Sequence, residues 1–368
     1  MRIAVLGLRG IPNVQGGVET HCEHLFTNIA SRGHEVIVFC RESYVTPPSH
    51  VQGVKLISFS CPRQKYLEAV VHTFIGVFKA WRLHPDILHI HAIGPSLFVP
   101  LARALGMRVV CTNHGADYER GKWGSVARLM LRVGENLGSR FSNAVIAISP
   151  SIAEQLRTSY RCVVDVIPNG VIVRPRSSRD DIVLKSGLQK GKYILAVARL
   201  VPEKGLDLLI DAYEMAGLPL DWKLVIVGEA DHSSSYSRSL VARGASSAGV
   251  VMTGTLHGEP LAELYSHAGL FVLPSHHEGL PIVLLEALSY GLSVIASDIP
   301  AHRALNLPEE RLFRKGDPRS AAEKLRYFID HPQTPEDQVE QIKRTANRFD
   351  WNLIAQKTLE VYRRVLRP

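Results

Sequence analysis

The sequence predicts an α/β protein of two doubly wound domains, each a parallel sheet with helices on its faces. Three observations carry that expectation. At 368 residues the chain is too long for one ordinary domain and fits two of about 150–200 residues. Arg2 to Gly7 is a short apolar run ending in glycine, followed by a loop, a helical pattern from Val18 to Ala30 and a second apolar run from Glu35 to Cys40. That strand–helix–strand order implies a parallel sheet. The same winding begins again at Tyr193 to Ala198, after a polar stretch, Arg174 to Gly191, that reads as linker. Residues 1–168 and 169–351 are therefore expected to form the two domains.

Composition narrows the class. Hydrophobic residues make up 46% of the chain, ample for two cores. No apolar run reaches the roughly 20 residues of a membrane span, and the opening MRIAVLGLRG reads as a first strand rather than a signal peptide. Cys22, Cys40, Cys61, Cys111 and Cys162 are odd in number and form no C-x-x-C, so they read as reduced core cysteines of a cytosolic protein. The net charge of +8 is uneven: residues 1–168 carry +7 and residues 169–368 carry +1. A basic first half suits an anionic partner such as nucleic acid, a phosphate-bearing lipid or an anionic membrane.

In the first half, the loop from Leu8 to Gln15 leads to Gly16-Gly17 at a helix start. The loop holds no G-x-G-x-x-G, which argues against a nicotinamide cofactor. A glycine pair there makes a notch for a phosphate or a sugar; the bland alternative is a tight turn. Val54 to Phe59 reads as the third strand. Lys65 to Leu83 reads as a helix rich in aromatic and aliphatic residues with Lys65, Lys79 and Arg82 at its ends. It suits a membrane surface or an ordinary core equally well. Strands are expected over Asp86–His91 and Arg108–Asn113, with a helix over Pro95–Leu105 between them.

His114 follows that strand in N-H-G-A-D-Y-E, beyond the carboxyl end where open α/β sheets bind ligands. A surface histidine is the alternative. Asp117 and Glu119 are weaker candidates, for orienting an acceptor. Lys122 to Phe141 is a second basic amphipathic stretch, with Arg128, Arg132 and Arg140. Two such elements favour attachment to an anionic membrane surface. Nucleic-acid binding is not expected, because no helix-turn-helix, zinc or RNA-binding motif is present.

In the second half, Arg199 to Gly205 reads as the end of one strand and the opening of the next helix. Two cations there, Arg199 and Lys204, beside free helix N–H groups suit a diphosphate. Solvated surface charges are the alternative. Strands are expected over Trp222–Gly228 and Val250–Gly254, the latter followed by Thr255-Leu256-His257. The apolar run Leu270–Leu273 reads as a buried strand. Ser275 to Leu280 then forms a loop and Pro281 occupies the first helical position. The helix Pro281–Tyr290 is almost wholly apolar except for Glu286, and a carboxylate there is costly unless something bonds it. Glu278, the anion-binding helix start with Gly279 and Leu280, and Glu286 would then form one ligand-facing element. The bland reading is a buried helix with a structural glutamate. No Asp-x-Asp metal motif occurs, and His276-His277 is a poor zinc pair, so no metal is expected.

Glu278 and Glu286, read as E-G-L-P-x-x-x-x-E, resemble the signature of the retaining glycosyltransferases of family 4. GLRGIP…GGVET resembles the opening of members that build bacterial surface polysaccharides. PNGV at 168–171, R-x-x-x-x-K-G at 199–205 and Ile299-Pro300-Ala301 also match that family's pattern. The resemblance covers essentially the whole chain. It implies the GT-B fold, two Rossmann-like domains whose parallel sheets face each other across a cleft, with a last helix at about 352–368 packing back on the first domain. It implies a metal-independent, cofactor-free transfer of a sugar from a nucleotide-diphosphate donor. Arg199 and Lys204 would hold the diphosphate, Glu286 the ribose and Glu278 the sugar. Backbone near Thr255 and Leu256, and Gly279 and Leu280, would also meet the donor. His114, Gly16 and Gly17 would complete the sugar pocket from the first domain. The acceptor would be a saccharide, lipid-linked, at the inner face of the cytoplasmic membrane. Rival readings are a nucleotide-sugar epimerase or hydrolase, or a non-catalytic nucleotide-sugar sensor.

Overall fold

The computed structural model describes residues 1–45, 50–62, 67–116, 118, 124–230 and 233–367. Within them the chain divides into two compact units: residues 1–170 with 351–368, and residues 171–350. Each has its own sheet and core.

The sheet of the first unit contains β1 (Arg2–Leu6), β2 (Glu35–Arg41), β3 (His50–Val51), β4 (Val54–Phe59), β5 (Ile87–His91), β6 (Val109–Asn113), β7 (Ala144–Ala147) and β8 (Val164–Val166). Their spatial order is β3-β4-β2-β1-β5-β6-β7-β8, parallel throughout except for the β3–β4 hairpin. The hairpin was not anticipated; Gln52 and Gly53, both at positive φ, make its two-residue turn. Helices α1 (Gly17–Ser31), α2 (Leu67–Arg82), α3 (Val99–Ala104), α4 (Ser125–Phe141) and α5 (Pro150–Tyr160) cover the faces. The strands are buried at nearly every position, as sheets covered on both faces require.

The second unit contains β9 (Tyr193–Val197), β10 (Lys223–Val227), β11 (Val250–Gly254), β12 (Leu270–Leu273), β13 (Val294–Ser297) and β14 (Leu312–Phe313), in the order β11-β10-β9-β12-β13-β14 and all parallel. Its helices are α6 (Asp181–Lys185), α7 (Leu206–Ala216), α8 (Ser235–Ser246), α9 (Gly258–His267), α10 (Ile282–Ser289), α11 (Pro300–Arg303), α12 (Pro318–Asp330) and α13 (Pro335–Phe349). The stretch Arg174–Gly191 is no bare linker. Ile182 N donates to the buried Glu263 carboxylate at 2.9 Å, which pins α6 to α9.

The last helix, α14 (Trp351–Leu366), belongs to the first unit. It packs on α1, and Trp351, Ile354, Leu359 and Tyr362 join the core formed by Ile3, Val5, Phe26 and Val38. Gly170 leaves room for it, since a Cβ there would lie 2.4 Å from the Trp351 ring. The starts expected at Lys65 and Lys122 fall on residues outside the described set; the described helices begin at Leu67 and Ser125. Cys22, Cys40 and Cys111 are buried free thiols.

If α14 is a structural part of the first core, Ile354→Ala, at a fully buried position, should destabilise the protein by about 2–5 kcal/mol. Chemical denaturation with two spectroscopic probes checks this. An unchanged first transition would show that α14 packs too loosely to matter.

Candidate active site

In an open parallel sheet, ligands bind beyond the strand carboxyl ends where the winding reverses. In the second unit that reversal lies between the adjacent strands β9 and β12. The loop after β9 carries Arg199 and Lys204, and the loop after β12 carries Glu278. Lys204 Nζ donates to Glu278 Oε1 at 2.6 Å, and the Ser275 hydroxyl donates to the same oxygen at 2.7 Å. The two charged side chains are largely buried, at 17% and 9% exposure. Burial pushes the Glu278 carboxyl upward, but Lys204 and Ser275 outweigh it and hold the group below its ordinary value.

The turn that aims Lys204 depends on Gly205, left-handed at φ 61°. A Cβ there would lie 2.5 Å from the carbonyl oxygen of Pro274. Glycine therefore lets the two loops meet. Behind Glu278, the buried His302 accepts no charge: burial pushes it down to about 4, and its Nδ1 is 2.7 Å from the Ser297 carbonyl oxygen.

Pro281 is the cap residue of α10, in extended conformation, rather than its first helical residue. Gly279 and Leu280 lead into that helix start, whose first N–H groups lack helical acceptors. Glu286 follows just over one turn in. Tyr265 of α9 donates its hydroxyl to Glu286 Oε2 at 2.9 Å. Tyr265 is itself fixed by stacking on Tyr290, with centroids 5.3 Å apart. Burial pushes the Glu286 carboxyl up to about 7, and the Tyr265 bond and nearby Arg174 offset this only in part. The sequence called for a partner to this glutamate but gave no way to identify Tyr265. Arg199 is half-buried at the end of β9. Leu256 lies in the loop after β11, two strands from β9.

In the first unit the winding reverses between β1 and β5. Gly7 closes β1 against β5, where a Cβ would lie 2.0 Å from the His91 carbonyl oxygen. Gly16 caps α1, and Gly17, exposed in open space, is its first residue. The loop between is held by an ion pair that sequence reading missed: Arg9 Nε donates to the buried Glu19 at 3.0 Å. A Cβ on Gly16 would strike both partners. Gly16 is thus required by packing, whatever else it serves, whereas Gly17 is not.

His114 is half-buried beyond β6. Its loop is set by the buried Glu135 of α4, which accepts from Asn113 Nδ2, Tyr118 Oη and Tyr160 Oη at 2.9–3.0 Å. Asn113 Oδ1 in turn accepts from Gly115 N at 2.8 Å. Around His114 the fold gathers His21 of α1 and His91 of β5, each offering a ring nitrogen within 4.8 Å of the others'. His91 Nδ1 and His114 Nε2 are 3.0 Å apart, and His21 Nδ1 is 2.9 Å from Asn169 Oδ1. Burial, and then the neighbouring imidazoles, push both His21 and His91 well below the ordinary histidine value, so they are neutral. No sequence motif pointed to this cluster, whose members are far apart in the chain. Asp117 and Glu119 lie outside the described residues.

Comparison with known proteins places this geometry in a family. Residues 15–174 match the model of Glycosyltransferase Family 4, and residues 178–345 match that of Glycosyl transferases group 1. The sulfoquinovosyl transferase of Arabidopsis thaliana is 26% identical, over 93% of this chain and 69% of that protein. A putative teichuronic acid biosynthesis glycosyltransferase of Bacillus subtilis is 27% identical, over 72% of this chain and 65% of that one. The glycogen synthase of Mycobacterium tuberculosis is 25% identical over 98% and 94%. Among solved structures, a sucrose-phosphate synthase from Thermosynechococcus elongatus superposes with a TM-score of 0.82 at 23% identity, over 99% of this chain and 98% of that one. An Anabaena protein solved in complex with UDP-glucose superposes with a TM-score of 0.80 at 20% identity, over 99% and 100%. These two likenesses establish the fold, the paired Rossmann-like units of GT-B. With both halves matched by their family models, this chain belongs to the family 4 glycosyltransferases and is an enzyme that transfers glycosyl groups.

Proposed function

We propose that the enzyme moves a hexose from a nucleoside-diphosphate donor to a saccharide acceptor, with retention at the anomeric carbon, in bacterial polysaccharide synthesis. The observation that supports it best is the Lys204–Glu278 pair at the switch point between β9 and β12. A cation held against a carboxylate at a strand–helix junction suits a ligand that is anionic at one end and rich in hydroxyls at the other. Lys204 and Arg199 face the diphosphate together with the starts of α7 and α10. Glu278 accepts from hydroxyls of the sugar, Glu286 from those of the ribose, and backbone near Leu256 meets the base. As the bond from the anomeric carbon to the diphosphate breaks, charge grows on the phosphate oxygens, and these cations and helix starts would offset it. That stabilisation needs no metal. His114 and Gly17 of the first unit serve the sugar and acceptor side.

The finer assignment, a lipid-linked acceptor at the cytoplasmic face of a membrane, draws support from α4. Its buried residues are small or polar: Gly134, Glu135, Gly138 and Ser139. Its apolar residues instead face water, with Leu129 62% and Val126 74% exposed beside the exposed Arg128 and Arg132. Helix α2 adds exposed Phe74, Phe78 and Trp81, and both helices pack against the turn Pro95–Phe98. Aliphatic side chains among arginines in a half carrying +7 suit an anionic bilayer surface. Among the described residues no helix is long and apolar enough to cross a membrane.

Replacing Arg199 or Lys204 by Ala should weaken donor binding by roughly 10- to 150-fold, as a charged hydrogen bond worth about 1.5–3 kcal/mol is lost. Titration calorimetry with several nucleotide sugars checks this. Wild-type affinity in both variants would move the diphosphate site elsewhere.

Glu286 predicts a pH dependence with two opposite signs. Its carboxyl rises from 4.5 to about 7 on folding, so the folded state binds more protons than the unfolded one between those values. Stability should fall as pH rises through that window, by about 1–3 kcal/mol after allowance for partial exposure. Donor affinity should do the reverse, rising towards pH 7 and levelling above it as the carboxylate forms. Glu286→Gln should flatten both profiles. A variant with wild-type donor affinity at pH 8 would remove Glu286 from the ribose.

The membrane reading expects binding to vesicles containing anionic lipid, with release at high salt. Each arginine near such a surface contributes about 1 kcal/mol, so Arg128→Glu with Arg132→Glu should weaken binding at least tenfold. Equal binding to neutral vesicles, or none to either, would sink it and leave a soluble acceptor.

A further inference from the structure

We propose that His21, His91 and His114 form a binding site for a divalent transition metal of the zinc type. A zinc ion binds imidazole nitrogen at about 2.0–2.1 Å, which in a tetrahedron separates neighbouring ligand atoms by roughly 3.4 Å. The His91 Nδ1 to His114 Nε2 distance is 3.0 Å, and all three rings offer a nitrogen within 4.8 Å of the others'. Small side-chain adjustments therefore suffice.

An unpartnered atom points the same way. His21 is 2% exposed, and its Nε2 is buried without a hydrogen-bond partner. A buried polar atom left unpaired costs free energy, and a lone pair there is an offer to a cation. On His21 the tautomer is consistent with this. If Nδ1–H donates to Asn169 Oδ1 at 2.9 Å, Nε2 is the free lone pair. An oxygen acceptor on the other ring nitrogen is the usual second shell of a metal-bound histidine. His89, 4.2 Å from the His91 ring centroid, is excluded as a ligand because Tyr362 and Thr112 occupy both its nitrogens. Phe26 and Trp351 add an apolar wall beside His91 and His21.

The proton count closes. The one hydrogen shared between His91 Nδ1 and His114 Nε2 moves to the opposite nitrogen of whichever ring carries it, and three neutral imidazoles bind the ion without net proton release. Three nitrogen donors with no carboxylate suit zinc, copper(II), nickel or cobalt(II) over magnesium or calcium. A tetrahedral ion keeps one position open. The site belongs wholly to the first unit, whereas the cations assigned to the diphosphate belong to the second; His114 is common to the metal site and to the proposed sugar side, and the test below reads metal uptake alone.

The test uses the untagged full-length chain and the metal alone. Equilibrium dialysis against zinc should give one ion per chain, and cobalt(II) should show the intense visible absorption of a tetrahedral site. His21→Gln and His91→Gln should each abolish that uptake. Asn169→Ala should weaken it by about 10–100-fold, and His331→Gln, on the surface of the second unit, should leave it unchanged. Should a buried variant fail to fold, the half-exposed His114→Gln carries the same comparison. No stoichiometric zinc, uptake that survives in the histidine variants, or a pale octahedral cobalt spectrum would overturn the proposal. No donor enters the experiment, so its failure would leave the transferase reading intact.

Discussion

The second unit depends on one ion pair, Lys204 with Glu278, drawn together from loops after neighbouring strands. Neither residue would be stable alone in so enclosed a place. The lysine offsets the burial of the carboxylate, and Ser275 supplies a further donor. A pair of this kind adds little to stability against an apolar alternative, because desolvation consumes most of the attraction. Its presence at the switch point of the sheet is better explained by readiness: both charges are fixed in place before a ligand arrives. A polar ligand then replaces one preorganised interaction by another, with little reorganisation.

Glu286 shows the opposite arrangement, a carboxylate that accepts from the neutral Tyr265 hydroxyl and whose proton burial holds up to about pH 7. The two glutamates stand eight positions apart, yet their surroundings push their protons in opposite directions. One is ionised under all working conditions, while the other titrates near neutrality. Such a split lets neighbouring acids take different roles. It follows from what each loop or helix places beside the carboxyl group, not from the carboxyl group itself.

Much of this was legible because the relevant constraints are local. Apolar runs of four to six residues gave the strands, glycine at the end of β1 gave the turn at Gly7, and glycine before α7 gave the turn at Gly205. The cations and glutamates lie within short motifs whose spacing survives folding. What was missed depends on contacts between distant segments. Tyr265 reaches Glu286 across 21 positions, and Glu135 organises the His114 loop from the next helix. Arg174–Gly191 read as linker because its polarity hides one short helix tied down by a buried acid on another element. The hairpin before β4 was missed since two-residue strands carry no periodicity. In α4 the helical pattern was clear, but its orientation was not: glycines, rather than leucines, form the packed face.

That inversion has a physical cause which ties the first unit together. A Cβ at Gly134 would lie 2.2 Å from the carbonyl oxygen of Ile93, and one at Gly138 would lie 2.8 Å from Ser96. Helix α4 must approach the loop after β5 at backbone distance, as only glycine permits. This close seat brings Glu135 within reach of Asn113, Tyr118 and Tyr160, and through Asn113 fixes the turn that carries His114. A helix with larger apolar residues on that face would stand off, and the carboxylate would lose its donors. The aliphatic residues are thereby left on the outer face with the arginines. The same packing demand that orders His114 inside thus creates the basic, apolar surface outside, and no separate selection for either is needed to make them occur together.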